Sequence, residues 1–171
     1  MRGVKTVAKR LYRFAEFVLA MLLLAMFVAF VVQIVFRYLF NFPIGWTSEL
    51  TVVCWLWMVL WGAAFVVTEA EEIRFDLIYG AVGPRPRRIM AIVTALALLA
   101  LYGMSLPAVV DYVTFMKVQS TAYLKIRFDW LYSIYVIFAV AVLLRYAWIL
   151  WWALRGRGPE AFDPTKASSG V

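Results

Sequence analysis

Arg37, Asn41, Trp46 and Glu49 fall within one short stretch, RYLFNFPIGWTSEL (residues 37–50), which joins two long apolar runs. A turn between two hydrophobic rods does not require an arginine, an amide, an indole and a carboxylate. One chemistry open to them is local. Arg37 ends one helix and Glu49 begins the next, each with the sign that suits the helix dipole. At the same membrane level the two can pair, while Asn41, Pro43 and Gly45 make the turn and Thr47 or Ser48 caps. Trp46 then anchors at the interface. The other chemistry is docking of a partner, and the residues alone leave the two readings balanced.

Elsewhere the inventory argues mainly by exclusion. The chain has no histidine, which removes bis-His haem anchoring, most zinc chemistry and imidazole acid–base catalysis. Its single cysteine, Cys54, lies inside an apolar run and reads as a small core residue. No Gly-rich phosphate loop and no nucleophile elbow is present, so no catalytic residue, cofactor site or metal site is assigned. Arg145 is the one charge well inside an apolar run. It lies about two turns, roughly 9 Å, before Trp151 and Trp152, a distance that snorkelling covers. A snorkelling or ion-paired Arg145 is therefore favoured over a transport role. Pro107 removes a hydrogen bond to the Gly103 carbonyl and is expected to kink or end its helix.

The elements that position these residues are membrane spans. Of 171 residues, 65% are hydrophobic and 16% charged, against about 25% charged in soluble domains. A hydrocarbon core ~30 Å thick takes about 20 apolar residues. Phe17–Phe36, Leu50–Thr68 and Ile89–Val110 carry no charge, and Trp130–Leu154 is interrupted only by Arg145. These predict an all-α integral membrane protein of four transmembrane helices, at about 15–37, 48–68, 89–110 and 130–153. Residues 1–155 form the membrane domain and 156–171 a flexible tail. The first run is longer than a signal h-region and has no A-x-A site, so it reads as an uncleaved helix.

Orientation follows from Lys and Arg. Twelve lie before the first span, between the second and third, and after the fourth; the opposite side has Arg37, Lys117, Lys125 and Arg127. Both termini are expected in the cytoplasm, with the corner and the loop Asp111–Asp129 outside. Trp46 and Trp130 would then mark the outer interface, and Trp148, Trp151 and Trp152 the inner one. The net charge of +7 flanks apolar spans, which points to topology and membrane lipids rather than nucleic acid. Val4, Val7, Ala8, Leu11 and Phe14 recur at helical spacing opposite Lys5, Lys9 and Arg13. That pattern predicts an interfacial amphipathic helix from which the chain turns inward.

The run FRYLFNFPIGWTSELTVVCWLWMVLWGAAFVVTEAEEIRFDLI resembles the small membrane subunit, DctQ-like, of tripartite ATP-independent periplasmic (TRAP) transporters. That family has an Arg ending the first helix, an aromatic and Asn before the turn, then Trp-x-x-Glu; here these are Arg37, Phe40–Asn41 and Trp46 with Glu49. Its Trp-rich second helix with a glycine is matched by Trp57 and Gly62. Its Glu-His-Ile-x-x-Asp exit is matched by Glu71, Ile73 and Asp76, with Glu72 in place of His, so no imidazole role carries over. The approach to the fourth helix, YLKIRFDWLYSIYVIF, is also similar, but Arg127 stands where the family often has Pro.

The resemblance implies a non-enzymatic subunit of the bacterial inner membrane. It would brace a large polytopic permease that takes up an organic anion, often a carboxylate, on a sodium gradient after delivery by a periplasmic binding protein. Membrane lipids would be its other partners. Arg37, Asn41, Trp46, Glu49, Trp57, Gly62, Glu71 and Asp76 would be its structural or partner-binding positions. The small run Gly62-Ala63-Ala64 suits close packing against another membrane protein. A small four-helix exporter acting as a homodimer is the alternative, and would keep an ionisable residue at mid-membrane. Glu16 is the nearest acid in the first helix and sits at its basic edge. A quinone or haem anchor would require the missing histidines.

Overall fold

A computed structural model of the chain describes residues 2–42, 44–67 and 83–156. The described residues form four long helices: α1 (Arg2–Tyr38), α2 (Gly45–Trp61, continued by a π-turn over Gly62–Val66), α3 (Pro84–Phe115) and α4 (Phe128–Leu154). All four are long and apolar enough to cross a membrane, over Lys9–Tyr38, Gly45–Val66, Arg85–Val118 and Phe128–Leu154. The ends overrun the expected spans by several residues because apolar runs mark the hydrocarbon slab, whereas backbone hydrogen bonding carries a helix on through its polar flanks.

Two expectations are narrowed. No break separates the basic N-terminal segment from the first span. Between Ala8 and Phe17 there is neither Pro nor Gly, and Ala, Leu, Arg and Glu are good helix formers, so nothing stops the helix. α1 runs 37 residues, about 56 Å at 1.5 Å per residue, and its basic start continues the span rather than turning out of it. Pro107 does not end α3, which continues to Phe115. Pro107 has no N–H to give the Gly103 carbonyl, so one hydrogen bond is missing from an otherwise continuous helix.

The chain divides into two compact units. Met1–Val67 with Leu106–Ala141 make the first, and Thr68–Ser105 with Val142–Val171 the second. In the first unit α1 packs along α2 and its π-turn. Apart from Leu131, the buried positions are small or β-branched, among them Ala15, Ala29, Cys54, Ala64, Ala139, Val113, Ile134 and Thr47. Small residues let helix backbones approach closely, which is how helices associate where lipid removes the hydrophobic driving force. The bulky side chains point the other way. Phe14, Phe17, Met21, Leu24, Phe27 and Val31 are all exposed on α1, as a lipid-facing surface requires.

Gly62 shows the packing at its tightest. A methyl group there would lie 3.3 Å from Leu19 Cδ1, and both Gly62 and Ala64 are buried. Within the small run, Gly62 and Ala64 are buried and Gly62 packs on this chain's own α1, while Ala63 is half-buried. Cys54 is a buried free thiol, in keeping with a core position.

Candidate functional site

The corner between α1 and α2 is built by one left-handed residue. Asn41 has φ 50°, a conformation that asparagine tolerates better than most residues and that commonly ends helices. The chain doubles back there. Leu39 N–H donates to the Val35 carbonyl at 2.9 Å and Phe42 N–H to the Phe36 carbonyl at 3.0 Å. The Phe36 and Phe40 rings meet at 5.3 Å between centroids.

α2 opens after the extended Ile44 with no side-chain cap. The expected caps instead act backwards: Thr47 Oγ1–H donates to the Ile44 carbonyl at 2.9 Å and Ser48 Oγ–H to that of Gly45 at 2.7 Å. Both residues sit inside the first turn, where a hydroxyl reaches carbonyls three or four residues earlier more readily than free amides. Thr47 is fully buried, and its hydroxyl bond satisfies what would otherwise be a stranded polar group.

Glu49 does not pair with Arg37. Tyr123 N–H donates to its carboxylate at 3.0 and 3.1 Å, and Leu124 N–H donates at 3.0 Å. Arg37 is exposed and has no ion pair among the described residues. The competitor that won is a pair of adjacent backbone amides, aimed at one carboxylate by a loop 74 residues further along the chain. Such amide pairs form an anion-binding concavity, and bonds to an ionised acceptor are stronger than neutral ones.

That loop is itself a closed structure. Phe128 N–H donates to the Gln119 carbonyl at 3.0 Å and Thr121 N–H to that of Ile126 at 2.9 Å, and Ser120 and Arg127 bridge in antiparallel fashion. Ile126 N–H donates to Thr121 Oγ1 at 3.1 Å, and Lys125 turns the tip with φ 54°. The Tyr123 ring lies on Gly45, where a Cβ would run into it, so only glycine permits this approach. At the loop's exit Arg127 and Asp129 form a bidentate pair, and Asp129 Oδ1 also accepts Trp130 N–H at 2.9 Å. An acid in the first turn of α4 suits the positive end of that helix. Arg127, which departs from the family pattern, therefore has a definite partner.

Two indoles extend the clasp along α2. Trp57 Nε1–H donates to the Leu131 carbonyl on α4 at 3.1 Å, and one turn on, Trp61 Nε1–H donates to the Ala15 carbonyl on α1 at 3.2 Å. Trp57 was among the positions expected to be structural or partner-binding, and here it bonds across to α4. Trp61 was not singled out, although its spacing of four from Trp57 places both on one helical face and was the available signal. Trp46 is exposed beside the corner. Glu71, Glu72 and Asp76 lie outside the described residues.

Changing Trp57 to Phe keeps a large ring and removes only the N–H donor. The expected loss is about 0.6 kcal/mol, typical of a hydrogen bond between membrane helices, measured by unfolding in mixed micelles. Trp61→Phe should behave likewise. The double variant should lose the sum, because the two acceptors sit on different helices.

The arrangement joins four pieces of one unit: the end of α1, the start of α2, the loop and the first turn of α4. A carboxylate already accepting from two amides works here as a fastening. It is not presented as a base or a cation ligand.

Comparison with known proteins gives this fastening a context. The sequence model of the family described as tripartite ATP-independent periplasmic transporters, DctQ component, matches residues 26–156, which include every residue of the clasp except Ala15, the acceptor for Trp61. The C4-dicarboxylate TRAP transporter small permease protein DctQ of Vibrio cholerae serotype O1 (strain ATCC 39315 / El Tor Inaba N16961) is 36% identical over 85 residues. That match covers 50% of this chain and 37% of the relative, so it spans little more than a third of the relative's length.

Proposed function

Because the chain belongs to the DctQ component family of tripartite ATP-independent periplasmic transporters, we propose that it is the small permease subunit that braces a large permease in the bacterial inner membrane. The observation that carries the role is the clasp. Glu49, Trp57 and Trp61 tie α2 to the loop, to α4 and to α1, and a support needs fixed relations between its helices. The solute is an organic anion, by analogy with the C4-dicarboxylate of the relative's name, and its uptake is driven by sodium after delivery by a periplasmic binding protein. Specificity then resides in those partners.

Copurification from native membranes tests the role. A large hydrophobic partner should accompany the full chain, and the chain reconstituted alone should move no solute under a sodium or proton gradient. Counterflow by the isolated chain with self-association only would favour the homodimeric exporter instead.

Both termini are proposed to be cytoplasmic, from the unequal distribution of Lys and Arg. Reporter fusions at either terminus should read as cytoplasmic and a fusion at Gln119 as periplasmic. A periplasmic C-terminus would be incompatible with four spans in this orientation.

A further inference from the structure

Among the described residues of the second unit, 83–105 and 142–156, the charged side chains are Arg85, Arg87, Arg88, Arg145 and Arg155, with no Asp or Glu. Arg88 ties two helix ends together. Its Nε donates to the Ala153 carbonyl at 2.6 Å and its Nη2 to the Leu154 carbonyl at 3.0 Å, which answers the negative end of α4. Two further cations flank that tie along the chain: Arg85, one turn earlier on α3, and Arg155, the residue after Leu154. Arg85 is exposed. Arg155 is exposed too, and its guanidinium carbon lies 4.2 Å from the centre of the Trp151 ring.

Each of these arginines crowns an exposed apolar stripe. Ile89, Val93 and Leu96 continue from Arg85 along α3, and Trp151, Trp148 and Leu144 from Arg155 along α4. Indoles prefer the headgroup level, so the two guanidiniums stand where lipid phosphates lie. The planar fork of arginine matches phosphate oxygens two at a time. Among the described residues no acid of this unit answers these charges, and basic pockets between transmembrane helices take anionic headgroups.

We propose that this end of α3 and α4 is a binding site for an anionic glycerophospholipid, with its phosphate between Arg85 and Arg155 and its acyl chains along the two stripes. The site is independent of the role assigned to the outer corner.

The test uses the full chain in detergent, with phosphatidylglycerol or phosphatidylcholine added and retention read by native mass spectrometry. Phosphatidylglycerol should stay bound under activation that strips phosphatidylcholine. Arg85→Gln and Arg155→Gln should each weaken its retention about fivefold, the usual contribution of one arginine near an anionic surface. Arg10→Gln, a change in the first unit, should have no effect. Circular dichroism checks that each variant keeps its helix content; if one unfolds, the other single variant decides. Equal retention of the two lipids overturns the proposal, as does an Arg10→Gln loss as large as that of Arg85→Gln. Inorganic phosphate should leave thermal unfolding of the lipid-free chain unchanged. Stabilisation by phosphate alone would make this a soluble-anion site and overturn the lipid assignment.

Discussion

Replacing Glu49 by alanine is expected to release the loop between α3 and α4, with the amide protons of Tyr123 and Leu124 exchanging at least about tenfold faster than in the parent chain. Those two amides have their acceptor in this carboxylate, and alanine offers none. Glu49→Gln should fall between, since one amide oxygen can accept while its NH2 group opposes the second donor. The freed tip should become cleavable after Lys125 by a trypsin-like protease, and assembly with the proposed large subunit should drop in parallel. Arg37→Ala should leave the Tyr123 and Leu124 exchange rates alone. Because the two residues do not touch, their effects on assembly should add, whereas a paired Arg37 and Glu49 would give a double variant milder than the sum. Unchanged exchange in Glu49→Ala would show that the loop holds itself.

Gly62→Leu is the second large effect. Leu19 Cδ1 would stand 3.3 Å from a newly added Cβ, and three further carbons would have to be fitted at this buried position. Overpacking of this kind costs about 1–3 kcal/mol. The expected result is a lower unfolding midpoint in mixed micelles and less monodisperse protein. Gly62→Ala is the informative contrast. Its methyl meets only the mobile tip of Leu19, and alanine gains up to about 1 kcal/mol over glycine in helix propensity, so the net change should be close to zero. Equal losses from the two substitutions would show that the position matters for backbone freedom and not for space.

The four helices were legible because transmembrane spans are written in composition, the one signal that survives without knowing any contact. Asn41 was legible for a similar reason: few residue types accept its backbone conformation. The Glu49 clasp was only half legible. The acid could be read, but its partners are the N–H groups of Tyr123 and Leu124, and backbone donors have no side-chain signature. Arg37, the nearest opposite charge at the right level, looked like the answer because sequence shows side chains only. The same blindness explains Arg88, whose acceptors are the Ala153 and Leu154 carbonyls. It also explains Thr47, read as a cap although its hydroxyl points back along the chain.

The π-turn at the end of α2 has a consequence for how the chain tolerates change in length. Val67 N–H reaches the Gly62 carbonyl at 2.9 Å, five residues back, so the segment holds one residue more than an α-helix would use there. Deleting a single residue from Gly62–Val66 would let the ladder close as an ordinary α-turn with every hydrogen bond kept. The same deletion elsewhere in α2 would rotate all that follows by about 100°, taking Trp57 or Trp61 off its carbonyl. Homologues one residue shorter should therefore carry their gap in this turn, and an alignment that places it elsewhere in the helix would misassign the indoles.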